Sequence, residues 1–275
     1  MMKKLLYVLA LGLITVSCST EELSTELNEG AKFTVLTGTD NSYLGTYKGT
    51  FAGFGTAKRG TVEINITETS ATALLQFVDG SETLMTGTGS TGISGMKTYS
   101  FNALEGSFNF SVAADGTMPE ASSVSLTDGA GSIVLAKDVT ATPMRLVTGT
   151  FGCDDCGGHP VLSDENAQSS FVWNMIIPAD EFGETLILTQ VSFGDSWFIS
   201  NGTLHEVYDK VGLLVYNDLS GSFPFGASGL VSWEATQIYS LDGACVDIRG
   251  KWTVTSPSYE KIKGWLKSDS SCNPL

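Results

Sequence analysis

The densest grouping of reactive side chains in this 275-residue chain is "FGCDDCGGHPVLSDEN", where Cys153, Cys156 and His159 stand at C-x2-C-x2-H spacing beside Asp154, Asp155, Asp164 and Glu165. Two thiolates and an imidazole are ordinary zinc ligands, but a closed structural site needs four donors, and the segment offers no evident fourth. The C-x-x-C-H spacing of haem attachment is not met, and the acids lack the regular spacing of a calcium loop. A disulfide between Cys153 and Cys156 is the expectation here, with no metal and no cofactor.

Nucleophilic catalysis needs a hydroxyl or thiol beside a base, and the chain has only two histidines, His159 and His205. "GISG" and "GASG" do not place a serine as a G-x-S-x-G elbow does. Two carboxylates would suffice for glycoside hydrolysis. The thirty acids, however, single out no pair. His205, beside Glu206, reads as an exposed strand position.

A second constellation is "KIKGWLK", where alternation puts Lys261, Lys263, Trp265 and Lys267 on one face and Ile262, Gly264 and Leu266 on the other. If residues 256 to 260, "SPSYE", form a hairpin loop, Trp252 lies over Gly264 and Val254 over Ile262. The outer face then sets Lys251 against Trp265, Arg249 against Lys267 and Thr253 against Lys263. Five of the fifteen lysines and arginines, Arg249, Lys251, Lys261, Lys263 and Lys267, thus share one ribbon of an acidic protein. Like charges across a ribbon repel, so an anionic partner relieves them, and Trp265 supplies a stacking plane. The alternative is edge protection, in which lysines on a last strand discourage sheet-to-sheet pairing.

The elements that carry these groups are strands. "GTVEINITE" puts Val62, Ile64 and Ile66 on one face, "SFNFSVAADG" does the same with Phe108, Phe110 and Val112, and Gly/Ser/Thr/Asp turns recur at short intervals. The fold class is all-β and antiparallel, in sandwiches or barrels. Asn201-Gly202 in "WFISNGTLHEV" predicts a type I′ hairpin turn with Phe198 opposite His205. Trp173, Trp197, Trp233 and Trp252 keep apolar company and are expected in the core.

All five tryptophans, and four of the five cysteines, lie after residue 145. "GTYKGTF" at 45 is echoed by "TGTFGC" at 148 and more loosely by "RGKWTV" at 249. These features divide the body into β domains at 43–145 and 146–275 of about eight strands each; one continuous sandwich is the alternative.

Lys3 and Lys4, the apolar run Leu5–Val16 and Ser17 have the layout of an export signal, too short to span a bilayer of about 30 Å as a mature helix. The ending "ITVSC" resembles a bacterial lipobox, with threonine at position 15 where leucine is commoner. The resemblance, confined to the first twenty or so residues, implies removal of residues 1–17, lipidation of Cys18 and a bacterial outer-membrane lipoprotein. "CSTEE" is similar to acid-rich tags that send such proteins to the cell surface. Residues 18–42 then form a polar tether. Setting Cys18 aside leaves Cys153, Cys156, Cys245 and Cys272, an even set for an oxidising compartment, and Cys245 is expected to pair with Cys272.

The formal charge of −15 becomes −17 once Lys3 and Lys4 are removed, which argues against nucleic acid as a partner. Three functions fit: an extracellular binding module for an acidic glycan, a polysaccharide hydrolase or lyase, and a structural or assembly protein of the outer membrane.

Overall fold

The computed structural model describes residues 42–91, 95–139, 144–177, 185–194, 196–211, 214–225, 228–240, 245–257 and 259–270. Cys18 and Cys272, together with the signal and nearly all of the tether, lie outside the described residues, as do the side chains of His205 and Lys261.

Alternation governs the first half of the chain. In β2 (Arg59–Ile66) Gly60, Val62, Ile64 and Ile66 are buried while the residues between them are half exposed. The same inward face continues through β1 (Gly45–Gly53), β3 (Ala71–Phe77), β4 (Glu82–Thr91), β5 (Lys97–Ala103), β6 (Gly106–Val112), β7 (Glu120–Leu126) and β8 (Gly129–Lys137). Each strand pairs with the next, and β1 also pairs with β8, so the eight close into an antiparallel up-and-down barrel. Tyr47, Phe51, Phe101, Phe108 and Phe110 fill its interior with Val62, Ile64 and Leu75. Closure leaves no sheet edge open.

The second half repeats the plan. Its strands are β9 (Arg145–Val147), β10 (Gly149–Asp155), β11 (Val172–Ile177), β12 (Thr185–Phe193), β13 (Ser196–Val211), β14 (Leu214–Phe225), β15 (Gly229–Ser240), β16 (Val246–Ser256) and β17 (Tyr259–Ser268). They run in sequence order around the sheet, with β10 joined to β17 on one side and to β11 on the other. Val147 pairs with Met175 and Thr150 with Val172 in one common register, so β9 and β10 act as a single strand interrupted at Thr148. A one-turn helix, α1 (Glu165–Gln168), capped by the Asp164 carboxylate, sits in the connection from β10 to β11. Two closed eight-stranded antiparallel barrels result, where the sequence left sandwich and barrel open.

The barrels meet side to side. β11 is buried along its whole length because one face fills its own barrel and the other lies on the first. Between the barrels, Val134 of β8 packs with Ile176 and Leu188. Beside this apolar contact lies a dry polar cluster. Gln190 Oε1 accepts from Thr50 Oγ1 at 3.0 Å and from Asn174 Nδ2 at 2.9 Å. Gln190 Nε2 donates to Ser132 Oγ at 2.8 Å and to its carbonyl at 3.1 Å, while Asn174 Nδ2 also donates to the Phe51 carbonyl at 3.0 Å. At the rim Arg59 clasps the Asp269 carboxylate, and Phe54 stacks on Trp197 at 6.4 Å.

Two expectations are corrected. Asn201-Gly202 is not a turn: β13 runs through it, with Asn201 facing Leu188 and Gly202 facing both Ile187 and Gly221, and Phe198 pairs with Val191. Gly202 is needed there because the Trp233 ring covers it; a Cβ would stand 2.6 Å from that ring. Trp197 does not belong to the core either. It faces outward on β13 toward the first barrel, whereas Trp173, Trp233 and Trp252 fill the second barrel.

Candidate binding surface

The ribbon β16–β17 has the register read from its alternation. Trp252 faces Gly264, Val254 faces Ile262, Lys251 faces Trp265, Arg249 faces Lys267 and Thr253 faces Lys263. The loop is shorter than expected, because the register shifts between Val254 and Ser256 and Ser256 pairs with Tyr259. The inward members Trp252, Val254, Ile262 and Leu266 are buried, and Arg249, Lys251, Lys263 and Lys267 are exposed.

Trp265 is half buried. Its ring lies flat across Gly152 of β10, where a Cβ would come within 2.4 Å of it. The Lys267 ammonium stands over the ring at 5.0 Å from its centroid. The ribbon is closed into the barrel by β15 and β10, so its lysines do not guard a free edge. Acids temper the charge: Glu234 faces Lys251, Asp155 faces Lys263, and Asp247 pairs with Arg249 at 3.0 Å. The first two pairs are exposed and contribute at most about 1 kcal/mol each, whereas Asp247 is buried.

The cysteine-rich segment is structural. Cys153 and Cys156 form a disulfide, so neither thiolate is available to a metal. Among the described residues no three His, Cys, Asp or Glu side chains converge as a metal site would require. Cys245 is also disulfide-bonded, and its expected partner Cys272 lies outside the described residues. His159 Nδ1 accepts from the Leu162 backbone N–H at 3.2 Å, and the ring packs against Phe225 at 5.7 Å. Burial pushes the His159 imidazole below its usual range, which favours the neutral form. Its place is that of a loop-bracing residue.

Two groups escaped the sequence reading. Asn174 and Gln190 alternate with apolar neighbours and so read as wet positions, but they are 0% and 1% exposed. Leu162 sits in a loop without periodicity, and only its burial reveals its part in the second core.

No protein-family model and no curated protein matches the chain. Among solved structures it is similar to a crystal structure of a protein of unknown function from the DUF3598 family of Nostoc punctiforme, at 8% identity over 83% of this chain and 96% of that one. The TM-score is 0.17.

Proposed function

We propose that this chain is a lipoprotein anchored through Cys18 and displayed at the bacterial cell surface, whose second barrel binds an anionic glycan on the ribbon β16–β17. The observation that carries this reading is the gathering of exposed Arg249, Lys251, Lys263 and Lys267 around half-buried Trp265 in a protein of formal charge −15. Stacking on an indole holds the apolar face of a sugar ring, and cations a few ångströms away select for carboxylate or phosphate groups. A sugar stacking on the outer face of Trp265 takes the position of the Lys267 ammonium, which then turns to the sugar's charge. The backbone of Lys261 lies on the same ribbon.

The test uses polygalacturonate as the acidic probe and dextran as the neutral one. Wild type is expected to retain polygalacturonate and ignore dextran, with affinity falling as salt rises because each exposed ion pair is screened. Trp265→Ala and the triple variant Lys251/Lys263/Lys267→Ser are each expected to lose about tenfold, roughly 1.4 kcal/mol. Equal binding by all three proteins, or binding indifferent to salt, would remove the ribbon from consideration.

The anchor is tested separately. Cys18→Ala is expected to move the protein from the membrane fraction to the soluble one. A variant that stays in the membrane at unchanged mass would show that Cys18 carries no lipid.

A further inference from the structure

The connections β10–β11, β12–β13, β14–β15 and β16–β17 all lie at one end of the second barrel. Beneath that end is a pocket lined by Phe151, Trp173, Val191, Phe193, Val231 and Trp252 among others, every lining residue being apolar. The longest connection, residues 156–171, reaches over it. Cys153–Cys156 staples one root of this connection to β10, His159 braces its first turn, and Leu162, 2% exposed, points into the pocket as a plug.

Of the three indoles in the second core, those of Trp173 and Trp233 lack an acceptor among the described residues, and Trp173 stands in the pocket wall. Buried tryptophan N–H groups usually find an acceptor. Trp252 follows the rule, donating to the carbonyls of Gly152 at 3.1 Å and Trp265 at 3.2 Å. Trp173, 3% exposed and part of the pocket wall, has no acceptor for its Nε1–H among the described residues. An orphaned donor in an apolar wall is destabilising, because the hydrogen bond it made to water is not replaced. A ligand oxygen would replace it.

We propose that this end of the second barrel is a ligand site for a small uncharged aromatic molecule with one oxygen acceptor, which enters beneath the 156–171 connection, displaces Leu162 and accepts from the Trp173 indole. The aromatic wall suits an edge-to-face ring, since Phe151 already meets Trp173 at 5.8 Å and Trp252 at 5.9 Å in that way. A charged ligand is disfavoured, because no polar or ionic side chain lines the pocket to offset its desolvation. The site is independent of the ribbon, whose charged residues lie on the barrel's outer face.

Acetophenone and ethylbenzene, similar in shape and differing in the oxygen, test this on the full chain. Wild type is expected to bind acetophenone about tenfold more tightly than ethylbenzene, with shifts at the Leu162 methyl and Trp173 indole resonances. Trp173→Phe is expected to erase the preference. Val231→Phe fills the pocket and is expected to abolish both while polygalacturonate retention stays as in wild type. The resonance shifts decide the matter in wild type if either variant fails to fold. Absence of saturable acetophenone binding, saturation that leaves both resonances unmoved, or undiminished binding by folded Val231→Phe would overturn the proposal.

Discussion

Replacing Gln190 by leucine is expected to lower the stability of the chain by about 3–5 kcal/mol and to split its unfolding into two transitions, one for each barrel. Gln190 is 1% exposed and uses both ends of its amide across the contact between barrels, accepting from Thr50 and Asn174 and donating to Ser132. Leucine fills a similar volume but strands the Thr50 hydroxyl, one Asn174 N–H and the Ser132 hydroxyl in a dry contact. Each stranded group costs on the order of 1–3 kcal/mol. The neighbouring apolar contact, Val134 against Ile176 and Leu188 with a few partly buried neighbours, is too small to carry the docking alone. Wild type is therefore expected to unfold in one transition and the variant in two by calorimetry. Asn174→Leu added to Gln190→Leu is expected to cost less than the two changes measured separately, because fewer polar atoms are left without partners. A single transition within a few degrees of wild type would show that the polar cluster does not couple the barrels.

That cluster also marks where alternation stops being informative. Period two separates the faces of a strand without saying what covers the outer one. On β16 and β17 the outer face is wet, and the pairs Lys251–Trp265 and Val254–Ile262 follow from the alternation alone. On β11 and β12 the outer face meets another barrel, so Asn174 and Gln190 look like solvent positions and are dry. Trp197 fails for the complementary reason, an apolar residue on an outer face that finds its cover in Phe54. Asn201-Gly202 shows tertiary packing overriding local turn chemistry: the glycine is required by the Trp233 ring, and no turn forms. Leu162 was illegible because a plug in a loop has no period to betray it. The ribbon could be read because it depends on neighbouring strands, whereas the pocket and the contact between barrels depend on long-range packing.

The echo of "GTYKGTF" in "TGTFGC" acquires a physical meaning from the closure of each barrel, and with it a prediction. Gly49 and Gly149 occupy the first complete strand of their barrels, and each faces the closing strand: Gly49 pairs with Leu135 of β8 and Gly149 with Ser268 of β17. A Cβ on Gly49 would stand 1.8 Å from the carbonyl oxygen of Val134, the residue before its partner. A Cβ on Gly149 would stand 2.4 Å from the carbonyl oxygen of Lys267, again the residue before its partner. Two residues on, Phe51 and Phe151 enter the two cores at 0% and 4% exposure. The shared Gly-Thr-Phe thus lets the backbones of the first and last strands approach closely while an aromatic ring anchors the interior. The third echo, Gly250 on β16, makes the same close approach to β15, where a Cβ would stand 2.3 Å from the carbonyl oxygen of Glu234, the residue before its partner Ala235, so the glycine marks close strand approach in all three and closure in the first two. Gly49→Ala and Gly149→Ala are each expected to destabilise by about 3 kcal/mol or more, since backbone against backbone cannot be relieved by a change of rotamer. Gly89→Ala is the control, because there the atoms nearest the Cβ belong to the half-buried Tyr99 side chain and not to backbone. Its cost is expected to stay below about 1 kcal/mol. Denaturant midpoints for the three variants decide it: equal losses at Gly49, Gly149 and Gly89 would mean that the barrels absorb the extra methyl by bending, and that the repeated glycine has no part in closure.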